Sequence, residues 1–432
     1  MKNAIAEIMR EFYEEGLPEK IHPRVVEYYE KARNATSIIG MRRVGKTYVA
    51  FHRIQELLSD GIPLERIVYI NFDDERLRGV SANDLKLIGE IHAAMYPEAA
   101  KEKCWYFLDE LQDVEGWELF ARRLVDSNRV QLCLTGSSAK LLSSEVATQL
   151  RGRSLDVEIF PLSFSEFLTF NGLVKTVPQA PFSPRTAGLL RNAMIRYLEE
   201  GGFPDIQGED LRIRNKLLQE YVNAVVYRDV IERHEISSTQ ALRYTLDYII
   251  HNYARKISTR AISGALRAVG ASDNRERISE YLQYFVNAYL IYPVSIRTDS
   301  LAVRRTNPDK FYIVDTGLIR AMTPKNDAER GWLLENLVFM HLRRGNNKIE
   351  YYISKSGGEV DFLVTDQNSK SRQLIQVAWN MEKSETSDRE LSALCLARDE
   401  IKVKDCFVVT WDSEVVLDNG IKVVPVWKWC LG

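Results

Sequence analysis

At 432 residues, 45% of them hydrophobic, with a formal charge of −2, the chain is long enough for roughly two to four domains and has no global excess of either sign. Near-neutrality means that any nucleic-acid contact must come from a local basic patch, and no run of about eighteen apolar residues predicts a membrane span. Mixed charges over residues 1–14 exclude a secretory signal, and five scattered cysteines (Cys104, Cys133, Cys395, Cys406, Cys430) without a Cys-x-x-Cys pair predict reduced thiols in a cytoplasmic protein.

Residues 1–36 read as helical and polar, closing on a Pro-containing segment at 19–24. The β-branched run Ser37, Ile38, Ile39 then reads as a buried strand. After it, Phe51, Ile54, Leu57 and Leu58 recur at helical spacing. Between strand and helix, Gly40 to Thr47 fits G-x-x-x-x-G-K-[ST]. Gly40 and Gly45 let the backbone wrap, so that N–H groups of Arg42, Arg43, Val44 and Tyr48 and the helix N-terminus face phosphate oxygens. Lys46 offers a charge to the β- and γ-phosphates, and the Thr47 hydroxyl offers a ligand to Mg²⁺. ATP and Mg²⁺ are the expected cofactors.

A strand is expected at 67–72 and another at 105–108, the second running into Asp109-Glu110. At that strand's C-terminal edge Asp109 is placed to hold Mg²⁺ through water, and Glu110 to orient and polarise the attacking water. The strand at 130–134 runs into Thr135-Gly136-Ser137-Ser138, where a hydroxyl can sense the γ-phosphate. Thr135 is the first candidate and Ser137 the second, against a simple Gly-Ser turn. Arg151 and Arg153 precede a strand at 157–160 and are candidates to reach the γ-phosphate of a neighbouring subunit. A surface or structural arginine pair is the alternative.

Five strands with these motif positions resemble an AAA+ ATPase. The wording is closer still to a bacterial and archaeal group of ATPases with a conserved C-terminal domain of unknown function. The phrases that carry it are Leu134-Thr135-Gly136-Ser137-Ser138-Ala139-Lys140-Leu141-Leu142, Leu150-Arg151-Gly152-Arg153, Pro161-Leu162-Ser163-Phe164-Ser165-Glu166-Phe167 and Glu200-Gly201-Gly202-Phe203-Pro204. This resemblance covers nearly the whole chain. It implies an ATPase core, a winged-helix region and a nuclease-like C-terminal fold.

Residues 161–235 read as mainly helical, with a Pro-rich loop at 177–184 and a long helix at 221–230. Arg228 on that helix is a candidate second sensor of nucleotide, against a solvated arginine on a core-facing helix. Residues 236–320 have winged-helix grammar. A helix at 259–268 and a turn at 270–273 lead into a second helix with Ile278, Tyr281, Leu282, Phe285 and Tyr289 inward. Asn274, Arg275 and Arg277 lie at its exposed start, where a recognition helix meets base edges. Strands at 292–296, 301–304 and 311–314 would form the wing. Between His251 and Lys310 there are ten Lys/Arg against five Asp/Glu, which suits phosphate contacts by Arg297, Arg304, Arg305 and Lys310. Domain packing or protein contact is the alternative use of this region.

The last hundred residues begin with an amphipathic helix at 333–342. Strands at 349–353, 359–364 and 374–378, a helix at 388–399 and strands at 406–411 and 422–427 follow. This order resembles PD-(D/E)xK nucleases, and the resemblance implies that Glu335 and Asp361 fill acidic places of a metal site. The acid and lysine that complete such a site are replaced by Gln376 and Ala378, so the site reads as vestigial unless Lys355 substitutes.

The fold class is therefore α/β: a P-loop AAA+ parallel-sheet core at 1–165, a helical linker at 166–235, a winged-helix domain at 236–325 and a nuclease-like α/β domain at 326–432. The expected activity is ATP hydrolysis that drives a conformational switch acting on double-stranded DNA. An ATP-regulated protein scaffold and an active metal-dependent nuclease are the alternatives. Expected partners are ATP, double-stranded DNA or a protein, and further copies in a homo-oligomer, with no membrane.

Overall fold

A computed structural model describes residues 1–26, 28, 34–136, 152–236, 238–271, 273–326, 329–345, 347–381 and 385–431. They fall into two compact units, Met1–Ile159 and Phe160–Gly432. Among the described residues no helix is long and apolar enough to cross a membrane.

The first unit alternates helix and strand: α1 (Lys2–Glu15), β1 (Ala35–Ile39), α2 (Lys46–Ser59), β2 (Ile67–Asn71), α3 (Lys86–Met95), β3 (Cys104–Asp109), α4 (Trp117–Ser127), β4 (Val130–Gly136) and β5 (Ser154–Glu158). The strands make one parallel sheet in the order β2-β3-β4-β1-β5. Parallel strands are covered on both faces, and β1 and β3 are buried along their whole length, so they read as unbroken runs rather than alternating ones. Strand order reverses at β1. The loop that follows it lies at the carboxyl ends of the strands, where ligands of such sheets bind. Helix α1 buries Ile5, Ile8, Met9 and Phe12 on one face. It is tied down by Tyr13, whose hydroxyl donates to the Ile67 carbonyl at 2.9 Å, and by Glu11, which takes both ends of the Arg76 guanidinium.

The second unit opens with α5 (Phe164–Phe170), α6 (Pro184–Glu200) and α7 (Leu211–Ala224). The expected helix at 221–230 is α-helical only as far as Ala224, and Val225–Glu232 continues it as a π-helix. Next come α8 (Thr239–His251), β6 (Lys256–Ile257), α9 (Thr259–Ala268), α10 (Arg275–Asn287), β7 (Ile291–Val294), α11 (Leu301–Thr306) and β8 (Asp309–Ile313). β6, β8 and β7 pair antiparallel in that order. Residues 301–304, expected to form a strand, are instead helical in α11. The Ser300 hydroxyl accepts from Val303 N–H and starts that helix, a cap that outweighs the short apolar run Leu301-Ala302-Val303.

The unit closes with α12 (Thr316–Met322), α13 (Arg330–Arg344), β9 (Lys348–Ile353), β10 (Glu359–Thr365), β11 (Arg372–Ala378), α14 (Glu385–Ile401), β12 (Asp405–Thr410), β13 (Val415–Val416), β14 (Lys422–Pro425) and α15 (Val426–Trp429). The six strands are ordered β13-β14-β12-β11-β10-β9. Val360, Leu363, Leu374, Leu394, Val408 and Val423 form the core between this sheet and α14.

Two of the quoted phrases have packing reasons. In Ser163-Phe164-Ser165-Glu166, the Ser163 hydroxyl accepts from Glu166 N–H and the Glu166 carboxylate accepts from Ser163 N–H, a reciprocal cap on α5. In Gly201-Gly202, the second glycine donates its N–H to the buried Asp315 carboxylate at 2.7 Å, and a Cβ there would sit 2.4 Å from the Leu162 carbonyl oxygen. By contrast, a Cβ on Gly188, inside α6, meets nothing within 4 Å. Gly202→Ala should therefore cost about 1–3 kcal/mol through forced backbone shifts. Gly188→Ala should add about 0.5–1 kcal/mol, because alanine loses less entropy in a helix. Urea denaturation followed by tryptophan fluorescence separates the two, and equal midpoints would contradict the packing.

Candidate nucleotide-binding site and a second polar centre

The loop between β1 and α2 is shaped by close approach. Gly40 has φ +145°, and a Cβ on it would lie 2.3 Å from the Ile159 carbonyl oxygen. Gly45 is left-handed at φ 95° and leads directly into α2. Arg24 donates to the Val44 carbonyl at 3.0 Å, bracing the loop from outside. Lys46 is buried at 5% exposure, its ammonium 3.2 Å from the Met41 carbonyl and 3.6 Å from the Glu110 carboxylate. Tyr48 is half exposed, its ring edge-on to Phe51.

Asp109 ends β3 and is 1% exposed. Three hydroxyls converge on it: Thr47 Oγ1 donates to Oδ2 at 2.7 Å, Tyr69 Oη donates to the same oxygen at 2.9 Å, and Thr135 Oγ1 donates to Oδ1. Burial pushes this carboxyl above its ordinary range, against the pull of the three donors. Glu110 follows in a left-handed conformation, φ 54°, with its N–H donated to Thr135 Oγ1 at 3.1 Å. Its carboxylate accepts from Gln112 Nε2 at 2.6 Å. Burial opposes the Glu110 charge, but Lys46, Gln112 and Arg42 outweigh it and hold the carboxyl below the usual range.

The donor set suits a nucleotide with a divalent cation. Gly40 leaves no room for a side chain against the Ile159 carbonyl, the buried Lys46 ammonium sits beside the loop, and the Thr47 hydroxyl meets the Asp109 carboxylate.

The second unit holds another polar centre. Lys310 on β8 is 3% exposed, and its ammonium donates to Glu359 at 2.8 Å, Glu335 at 2.9 Å and Asp361 at 3.0 Å. Tyr312, two residues along the same strand, donates to Glu335 at 2.7 Å. Lys256 on β6 takes the other Glu359 oxygen at 2.7 Å. Asp361 accepts from Val377 N–H at 3.0 Å and donates its own N–H to the Gln376 side chain at 3.3 Å. Burial works against the Lys310 charge, yet the surrounding acids keep the ammonium well above the ordinary lysine range. A cavity of about 470 Å³ opens here, with Arg255, Trp332, Trp379 and Glu390 in its wall. Burial and the nearby Asp361 push the Glu390 carboxyl up to about 7.

A family profile described as an AAA domain matches residues 32–168. Two domains of unknown function, DUF8612 and DUF4143, match 191–329 and 330–429. The uncharacterized protein MJ1544 of Methanocaldococcus jannaschii is 34% identical over 411 residues, which cover 91% of this chain and 87% of that one. The chain belongs to this AAA-domain family. An uncharacterized protein of Haemophilus influenzae is 29% identical over 398 residues, 91% of this chain and 93% of its own. Among solved structures, the Walker-type ATPase paby2304 of Pyrococcus abyssi aligns at 14% identity over 74% of this chain and 95% of its own, with a TM-score of 0.42.

Within the AAA domain, Gly40, Arg42, Arg43, Val44, Gly45, Lys46, Thr47, Tyr48, Asp109, Glu110 and Thr135 lie in the loop, in the first turn of α2 or at the adjoining strand ends. Thr135 is spent on Asp109 and on the Glu110 N–H, so its hydroxyl orders the two acids. Ser137 and Arg151 lie outside the described residues. Arg153 pairs with Asp126 on α4, and its carbonyl accepts from Ala35 N–H at the start of β1. That puts it at the opposite end of the strands from Gly40, about 17 Å along the strand direction. Tyr69 was not foreseen. Its signal is register: Asn71 pairs with Asp109 and Tyr69 with Phe107, so Tyr69 and Asp109 project from the same sheet face.

In the second unit, Asn274 caps α10 through Arg277 N–H at 2.7 Å, and Arg275, Arg277, Arg304 and Arg305 are exposed. Arg228 is exposed on the π-helix. Lys310 corrects the expected list of phosphate contacts, because it is buried among carboxylates. Lys355 does not join that centre; its backbone N–H donates to Glu400 and the residue is exposed. Lys310→Ala should leave Glu335 and Asp361 uncompensated and cost about 3–5 kcal/mol. The deficit should shrink on going from about pH 8 to about pH 5, because burial and the nearby Asp361 push the Glu335 carboxyl up to about 7, and protonating it removes the repulsion. Urea denaturation at both pH values checks this, and a variant as stable as the parent would contradict it.

Proposed function

We propose that this AAA-domain protein binds ATP with Mg²⁺ and hydrolyses it. One observation carries the reading: Thr47 lies 2.7 Å from Asp109 while Lys46 lies 3.6 Å from Glu110, so the loop and the two acids meet at one point. The loop N–H groups and Lys46 would bind the phosphates, and Thr47 with Asp109 would hold the metal. The bound metal supplies neutralisation of charge on the phosphate oxygens. Phosphate competes with Glu110 for Lys46. Once the ammonium turns to phosphate, the Glu110 carboxylate keeps Gln112 and is left to polarise water. Lys46→Ala should abolish or greatly weaken ATP binding, whereas Glu110→Gln should bind ATP and nearly stop turning it over. Phosphate release at the parental rate by Glu110→Gln would refute the assignment.

For the second unit, we read the stretch from α8 to β8 as a winged helix that contacts duplex DNA. The supporting observation is that Arg275 and Arg277 are exposed at the start of a capped α10, with Arg304 and Arg305 exposed on α11. If about four phosphates are engaged, raising salt from about 50 to about 200 mM should weaken binding roughly a hundredfold. Arg275→Ala/Arg277→Ala should weaken it further. Binding indifferent to salt and to these arginines, measured by fluorescence anisotropy, would favour the protein-scaffold reading. We read the sheet that follows as a nuclease-like fold without cutting activity, because Gln376 is neutral, Ala378 carries no charge, and the Lys310 ammonium stands among the acids.

A further inference from the structure

We propose that Tyr69 is a positioning residue for the metal-holding Asp109, fixing the carboxylate through a hydrogen bond to Oδ2. The proposal rests on the nucleotide reading above and adds a residue that neither the loop motif nor the Asp-Glu pair contains. Oδ2 receives two hydroxyls, Thr47 at 2.7 Å and Tyr69 at 2.9 Å, while Oδ1 receives Thr135. An ionised carboxylate has about four lone-pair positions, so three are taken and one is left, on Oδ1. Thr47 has a second duty, since its oxygen is the expected metal ligand. Tyr69 has no such duty. Its hydroxyl comes from the neighbouring strand, and its ring is fixed by Phe51 of α2 at 4.9 Å and Phe12 of α1 at 5.6 Å between centroids. It therefore holds the carboxylate plane when Thr47 engages a cation. Partners that orient a metal-holding group in this way are commonly worth about 10–100-fold in metal affinity.

Tyr69→Phe tests this, because it removes one oxygen and keeps both ring contacts. The full-length chain is titrated with fluorescent methylanthraniloyl-ADP, first in EDTA and then with increasing MgCl₂. The parent should bind the nucleotide without metal and more tightly with it. In Tyr69→Phe the metal-free affinity should be unchanged, while the MgCl₂ needed for half the tightening rises about tenfold or more. In an Asp109→Asn background, adding Tyr69→Phe should change nothing further, since the two act through one contact. An unchanged MgCl₂ requirement in Tyr69→Phe would overturn the proposal. So would an equal loss of affinity with and without metal, which marks a merely structural tyrosine. A parent that binds no nucleotide would instead overturn the ATP reading on which the proposal stands.

Discussion

Burying a carboxylate at the end of a central strand is the constraint on which the first unit turns. Asp109 is removed from water, and burial opposes its charge, so it persists only because hydroxyls are brought to it from three other places. Each comes from a different element: Thr47 from the first turn of α2, Tyr69 from β2, and Thr135 from β4. Those elements are neighbours because the sheet is parallel and ordered β2-β3-β4-β1-β5. A one-residue slip of β2 against β3 would turn Tyr69 to the other face and leave one donor missing. Chemistry at the site thus depends on strand register, and register on the apolar runs that bury β1 and β3.

The second unit meets the same problem with a different solution. Glu335 and Asp361 are buried too, but they share one ammonium, Lys310, with Glu359 drawn in at 2.8 Å. Hydroxyl donors leave a carboxylate its full negative charge for a cation to find. One ammonium among three carboxylates offsets part of that charge on the spot. The contrast explains why the first centre is suited to a metal–nucleotide complex. It also explains why the second, within a fold that the sequence likens to nucleases, is read as structural or as a binding surface.

What could be read from the sequence follows the range of each interaction. The loop from Gly40 to Thr47 is local and was legible outright, and Asp109-Glu110 was legible because four large apolar residues announce a buried strand just before it. All five strands of the first sheet were expected, with ends displaced by a few residues. Tyr69 was hidden because its role depends on the pairing of two strands some forty residues apart. Lys310 stood in plain view inside an apolar strand, but its partners come from α13 and β10, and no local spacing links them. The misread strand at 301–304 is a different kind of miss. Ser300 is a local cap signal that competes with the apolar run Leu301-Ala302-Val303. The π-turns after Ala224 left no trace in the residue pattern, since a π-helix uses the same residue types as the α-helix it extends.

One site at the carboxyl ends of the strands should take one nucleotide with its metal. Isothermal titration of the full chain with a non-hydrolysable ATP analogue, run with and without Mg²⁺, tests that directly. One molecule should bind per chain, and more tightly when Mg²⁺ is present. No binding, or binding to which Mg²⁺ makes no difference, would contradict it.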